Sequence, residues 1–124
     1  METSFIRLSG DKLKIKIALV SFKEDGNTMV YAPALDMYGY DIDEEKAKKS
    51  FDVVIEEYLK FTISNKTLEE DLTNLGWKVV RTENETEFVS PAFRELLDTN
   101  ETLQDIFDKD FHKFNETVEI AEIA

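Results

Sequence analysis

Few side chains in this sequence have the reactivity that chemistry requires, and their spacing narrows what they could do. The one histidine, His112, follows Asp108, Lys109, Asp110 and Phe111. A histidine is the usual general base, but it needs a nucleophile and an orienting carboxylate, and no serine or carboxylate partner is identifiable at motif spacing. Its structural reading is a solvated or strand-flanking residue. One imidazole is too few for an ordinary catalytic zinc site, and the absence of cysteine removes disulfides, thiolate nucleophiles and sulfur-ligated metals together. Glu83, Glu85 and Glu87 alternate with small polar residues, and oxygen ligands suit calcium. Carboxylates in an extended segment ordinarily point at water, so this stretch reads as a loop or exposed hairpin tip. Lys12, Lys14 and Lys16 form a second periodic row, either a phosphate-binding row or a solvated strand face that blunts a sheet edge. No aromatic residue interleaves these lysines in the sequence, which favours the edge reading. No catalytic, cofactor-binding or metal-binding residue is assigned, and no cofactor is expected.

The elements that position these residues follow from hydrophobic period. From Lys12 to Phe22, Leu13, Ile15 and Ile17 alternate with the three lysines, the period of a strand with one apolar and one basic face. From Ala18 to Val20 both faces turn apolar, as where a strand passes under a helix or meets a partner. Asp25-Gly26 is a tight-turn signal that folds this strand back onto Met29 to Ala32. Pro33 lacks an N–H and ends that second strand. Gly39, between Tyr38 and Tyr40, reads as a bulge or bend, or as a place where another backbone approaches closely. Phe51, Val54, Ile55, Tyr58 and Leu59 then lie on one helical stripe. Asp43 is placed to cap that helix, with Glu44 and Glu45 at the positive end of its dipole, so the expected span is Glu44 to Phe61.

Beyond it, Thr67 and Glu70 have capping-box spacing, Leu68, Leu72 and Leu75 make a short helix, and Gly76 stops it. Trp77, Val79 and Val80 suggest a strand, with Trp77 in the core. Ser90-Pro91 reads as a helix start, and Asn100 or Thr99 as the cap of a second short helix. Residues 111–123 read as a terminal strand or arm, whereas Met1 to Gly10 leave a short strand and a simple edge cover open.

At 124 residues the chain has room for one domain, and its 42% apolar content excludes wholesale disorder despite a net charge of −12. No apolar run approaches the roughly 20 residues that span a bilayer, and the first residues lack the apolar core of a signal peptide. The expectation is a soluble, cytoplasmic protein with no membrane association. Charge is unevenly spread: residues 1–81 hold 12 Lys/Arg against 15 Asp/Glu, and residues 82–124 hold 3 against 12. A polyanion is bound through Lys and Arg, so the C-terminal third fits a basic protein better than a nucleic acid.

Tyr31-x-Pro33-x-Leu35-x-x-x-Gly39, followed by Asp43, Glu44, Glu45, Ala47 and Ser50, resembles the core signature of the HicB-like family, the antitoxin halves of HicA/HicB toxin–antitoxin pairs. Ala34 to Tyr40, Lys66 to Glu69 and Leu75 to Trp77 strengthen the likeness, which covers about residues 10 to 80. The resemblance implies a partly RNase-H-like core, self-association and, as partner, a small basic HicA-like mRNA-cleaving toxin whose active face the protein covers. Its motif residues, Tyr31, Pro33, Leu35, Gly39, Asp43, Glu45, Ala47 and Ser50, are structural punctuation. Relatives often carry a DNA-binding segment after the core; here only Arg94, Lys109 and Lys113 are basic there, so DNA binding is not expected. An RNase-H-like core also raises the question whether Asp11, Asp36, Asp41 and Asp43 gather magnesium for phosphodiester hydrolysis. Capping and turn roles account for the last three more simply.

Together these readings give a non-enzymatic protein-binding module. An orphan dimeric scaffold and a metal-dependent nuclease are the alternatives. The expected fold is α+β: a small antiparallel sheet of three to four strands on one main helix, with residues 1–81 as core and 82–124 as an acidic extension packed on it, carrying short helices.

Overall fold

The thirteen-residue strand β2 (Lys12–Glu24) is the spine of the protein. In the computed structural model, which describes residues 3–120, six further strands assemble on it: β1 (Phe5–Ser9), β3 (Asn27–Ala32), β4 (Met37–Asp41), β5 (Lys78–Arg81), β6 (Thr86–Val89) and β7 (Phe111–Ile120). Four helices accompany them, α1 (Glu44–Ser64), α2 (Leu68–Asn74), α3 (Phe93–Thr99) and α4 (Glu101–Phe107). Every pairing is antiparallel.

The register explains how one strand serves three neighbours. β7 follows β2 from Leu13 opposite Ile120 to Phe22 opposite Phe111. A strand has two edges, so β1, on Lys12–Lys16, and β3, on Val20–Glu24, share the other one end to end. In the gap between them the Ala18 N–H donates to Ser4 Oγ at 3.0 Å, which satisfies a backbone donor that neither neighbour reaches. β4 continues outward from β3, and β6 then β5 continue outward from β1.

Part of the expected fold class is thereby corrected. The protein is α+β, but its sheet has seven strands and its described residues form four helices, where three to four strands on one main helix were expected. β6 was not expected as a strand, β1 was one of two open readings, and β7 takes the strand form of the expected strand or arm. β1 and β6 are five and four residues long, too short to show a clear period. β7 carries His112 and Glu116 in the row that also holds Phe114 and Val118, so its inward face is not apolar throughout. Residues 121–123 of the expected terminal strand lie outside the described residues.

The expected hairpin forms, with Asp25 (φ 51°) and Gly26 (φ 83°) both in the left-handed region a two-residue turn needs. α1 begins where expected: Asp43 Oδ1 accepts from the Lys46 N–H at 2.9 Å. It runs three residues beyond Phe61, to Ser64, and its buried stripe is Ala47, Phe51, Ile55, Leu59 and Thr62. Val54, expected on that stripe, is 37% exposed, because the helix is rotated so that Phe51 and Ile55 point straight at the sheet. Thr67 precedes α2 but makes no side-chain cap, so the capping box does not form. Trp77 is buried and its Nε1–H donates to the Ala34 carbonyl at 2.8 Å. α3 starts at Phe93, after Ala92, two residues later than Ser90-Pro91 suggests. Ser90 is instead buried beside β1, where its Oγ accepts from the Ser4 N–H at 2.7 Å. Asn100 caps α4 as expected, accepting from the Leu103 N–H at 3.0 Å.

Two apolar clusters lie on opposite faces of the sheet. Ile6, Leu13, Ile15, Ile17, Leu19 and Phe88 face α1 and α2. Val20, Phe22 and Tyr31 face the other way, against Leu103 and Ile106 of α4.

Candidate functional site

Each residue of the family-like motif has a structural position around the junction of β3, β4 and α1. Tyr31 is fully buried; its hydroxyl donates to Asp36 Oδ1 at 2.7 Å and accepts from Asn100 Nδ2 at 2.9 Å. Burial, more than the Asp36 carboxylate, pushes the Tyr31 phenol well above its ordinary range, so it stays a donor. Pro33 is buried just past the end of β3, and the Leu35 N–H closes the turn onto the Ala32 carbonyl at 3.2 Å. Gly39 sits in regular register opposite Val30, so it is neither bulge nor bend. It is a close approach: a Cβ there would lie 2.7 Å from Phe51 Cα. Ala47 is fully buried, Glu45 is exposed in the first turn of α1, and Ser50 Oγ accepts from the Tyr40 N–H at 3.4 Å on the outer strand of the sheet. Together with Asp43, these residues seat α1 on β3 and β4.

The acidic candidates do not converge. Asp43 is the helix cap, Asp36 (φ 54°) receives the Tyr31 hydroxyl, Asp41 accepts from the Ile42 N–H at 2.7 Å, and Asp11 lies in the turn between β1 and β2. Glu85 and Glu87 turn towards Arg7, at 3.8 Å and 2.8 Å. Among the described residues no group of three or more His, Asp or Glu side chains is placed to hold a metal ion.

His112 does acquire partners that sequence spacing could not reveal. It stands opposite Ser21 across the β2–β7 ladder. Its Nδ1 lies 3.0 Å from Glu44 Oε1, and the Ser21 hydroxyl donates to that same oxygen at 2.6 Å. An open cleft of about 370 Å³ adjoins them, bordered also by Lys23, Thr28 and Asp110. The Ser21 hydrogen bond, then that of His112, holds the Glu44 carboxyl below its usual range. A serine nucleophile is activated when its hydroxyl meets the imidazole and the carboxylate sits behind it. Here the carboxylate stands between the two, an order that fastens β7 to the start of α1. The one signal in the sequence is parity, since Ser21 falls on the same strand face as Leu13, Ile15 and Ile17.

The fastening continues along α1. Lys48 Nζ lies 4.2 Å from the centre of the Phe114 ring. One turn on, burial and then Asp52 push the Glu116 carboxyl up, while burial and then Glu56 push Asp52 up. Four helix residues advance about 6 Å and two strand residues about 6.8 Å, so positions 44, 48 and 52 keep step with 112, 114 and 116. Asp52 Oδ1 is buried without a hydrogen-bond partner among the described residues.

The opposite face of the sheet divides by charge. Over the C-terminal half of β2, α3 and α4 present Glu95, Asp98, Glu101 and Asp105, with Asp108 just past the end of α4, all exposed, beside Arg94. Over the N-terminal half, Lys12, Lys14 and Lys16 are exposed with no helix above them. β1 sets Phe5 opposite Lys16 and Arg7 opposite Lys14, an aromatic neighbour that linear spacing conceals.

A scan against protein-family models, a search of curated proteins and a search of solved structures each returned no match. No helix among the described residues is long and apolar enough to cross a membrane.

Proposed function

We propose that the protein is a binding module that acts by covering a small basic partner, of the kind the HicA-like toxins represent, and is itself an antitoxin-type protein of the cytoplasm. The observation that supports this most is the outer surface of α3, α4 and the cap that follows α4, where five exposed carboxylates stand beside Arg94. Lys109, just beyond α4, lies 3.4 Å from Glu24. Such a patch raises the association rate with a cationic protein and repels polyanions. The HicB-like motif supports the same reading through the residues that seat α1. The test is co-expression with a small Lys-rich, HicA-like protein encoded beside it. The expected results are co-purification and relief of growth arrest, both lost in the Asp98→Lys, Glu101→Lys, Asp105→Lys variant. Unchanged rescue by that variant, or no association with the wild type, contradicts the proposal.

A dimeric scaffold without a toxin is the second reading. It is favoured by β7, whose outer edge pairs with no other strand among the described residues. An unpaired edge is a template for a second chain. A strict monomer in sedimentation equilibrium at high concentration would remove this reading.

A further inference from the structure

We infer that the uncovered sheet face built by β5, β6, β1, the N-terminal half of β2 and β7 docks a single-stranded nucleic acid. The inference stands apart from the acidic α3–α4 patch and does not depend on what binds there.

The cross-strand registers put five cations on this face. Lys12, Lys14 and Lys16 form its central row, Arg7 stands opposite Lys14, and Lys78 reaches the face through Val89, which lies opposite both Lys78 and Phe5. In a chain of net charge −12, this clustering leaves the rest of the surface more acidic still. Lys12, Lys16 and Lys78 have no ion-pair partner among the described residues. Lys14 has only a loose contact with Glu119, at 3.7 Å, and Arg7 is the one cation held closely, by Glu87 at 2.8 Å with Glu85 at 3.8 Å.

Between the charges lie apolar surfaces. Phe5 is part-exposed with the Arg7 guanidinium 4.8 Å from its ring centre, Val89 is part-exposed, and Val80 is 55% exposed. Cations that track a backbone, interleaved with an aromatic ring and apolar patches that can receive bases, are the elements of a single-strand platform. The lysine row repeats every second residue, about 6.8 Å, which suits a regularly repeating polyanion better than an irregular protein surface. The base faces of any duplex are stacked and closed to Phe5, Val80 and Val89, so the occupant that can use these surfaces is single-stranded.

Fluorescence anisotropy with a labelled oligouridylate of about 12 nucleotides tests this, since single-strand sites commonly span about 4 to 16. The expected result is saturable binding that weakens steeply between about 50 and 200 mM salt. In the Lys12→Gln, Lys14→Gln, Lys16→Gln variant, with circular dichroism confirming the fold, affinity should drop at least tenfold. The log–log salt slope should flatten by about 2, at roughly 0.7 for each phosphate no longer neutralised. A control with the same charge change elsewhere, Lys46→Gln, Lys49→Gln, Lys60→Gln, should bind as the wild type does. No binding by the wild type at low salt, equal binding by the central-row variant, or equal loss in both variants overturns the inference. So does binding of polyglutamate with the oligonucleotide excluded, which would make this face a dock for an acidic protein.

Discussion

From Lys12 to Ile17 the strand β2 buries every second residue, and from Ala18 to Phe22 it buries every residue. One continuous strand thus belongs to two environments. From Leu13 to Ser21 the odd-numbered positions face α1 and α2. The even-numbered positions meet water in the first half and α4 in the second, where Val20 and Phe22 pack on Leu103 and Ile106. Phe107 carries that apolar layer on to the start of β7 by stacking on Phe111, with ring centres 4.3 Å apart. The difference shows that β2 alone does not decide which of its faces is wet; two seven-residue helices, supplied some eighty residues later, do. It also separates opposite charges onto one side of one sheet, carboxylates on the helices and lysines on the bare strands.

Substitutions separate the face shared by both halves of β2 from the face that only α4 covers. The largest effect should come from Phe51→Ala, which empties the face common to both halves at the place where α1 touches Gly39. A loss of about 3–5 kcal/mol in urea denaturation is expected, with Val54→Ala below about 1 kcal/mol. Equal losses would mean that α1 is rotated differently. Leu103→Ala, which opens only the helix-covered half, should lose about 2–5 kcal/mol. It should also raise hydrogen exchange at Val20 and Phe22 before that at Leu13 and Ile15.

The carboxylates at the contact of β7 with α1 make that attachment depend on pH. Glu44 has a lowered folded-state pKa, so its contribution is present above the unfolded value near 4.3 and is lost as pH falls through the folded value. Glu44→Gln should therefore lose about 1 kcal/mol at neutral pH, less than a buried charged hydrogen bond because the carboxyl is part-exposed. The gap to wild type should close in acid. Glu116 has the opposite sign. Its raised pKa makes the folded state bind its proton more tightly, so the penalty is present at neutral pH and disappears as pH falls through that value. Glu116→Gln should stabilise the protein at pH 7 by less than about 1 kcal/mol and lose its advantage on acidification.

What the sequence displayed was local chemistry. Asp43 as cap, Asp25-Gly26 as turn and Asn100 as cap could be read because each depends on neighbours within a few positions, and Trp77 as core because of its size and apolar character, although its Ala34 partner lies 43 positions away. The two-faced burial from Ala18 to Val20 was visible as a pattern, although not the identity of the covering helix. β6 was not legible and β1 was only one of two open readings, since Phe5–Ser9 and Thr86–Val89 are stabilised by each other and by β2, not by any period of their own. Nor was the meeting of Ser21, Glu44 and His112, whose first two members lie 91 and 68 positions from His112. The cationic face was half legible: the lysine row showed its spacing, while Phe5 and Arg7 joined it only through the β1–β2 register. Val54 was misplaced because a helical stripe read from period alone is uncertain by about one position in rotation.

A matched pair of substitutions on the same face of β2, Lys16→Ala and Val20→Ala, tests the division of the strand most directly. Chemical denaturation should show Lys16→Ala within about 0.5 kcal/mol of the wild type and Val20→Ala roughly 1.5–3 kcal/mol less stable. Equal losses at the two positions would contradict it, because they would place both residues in the same environment.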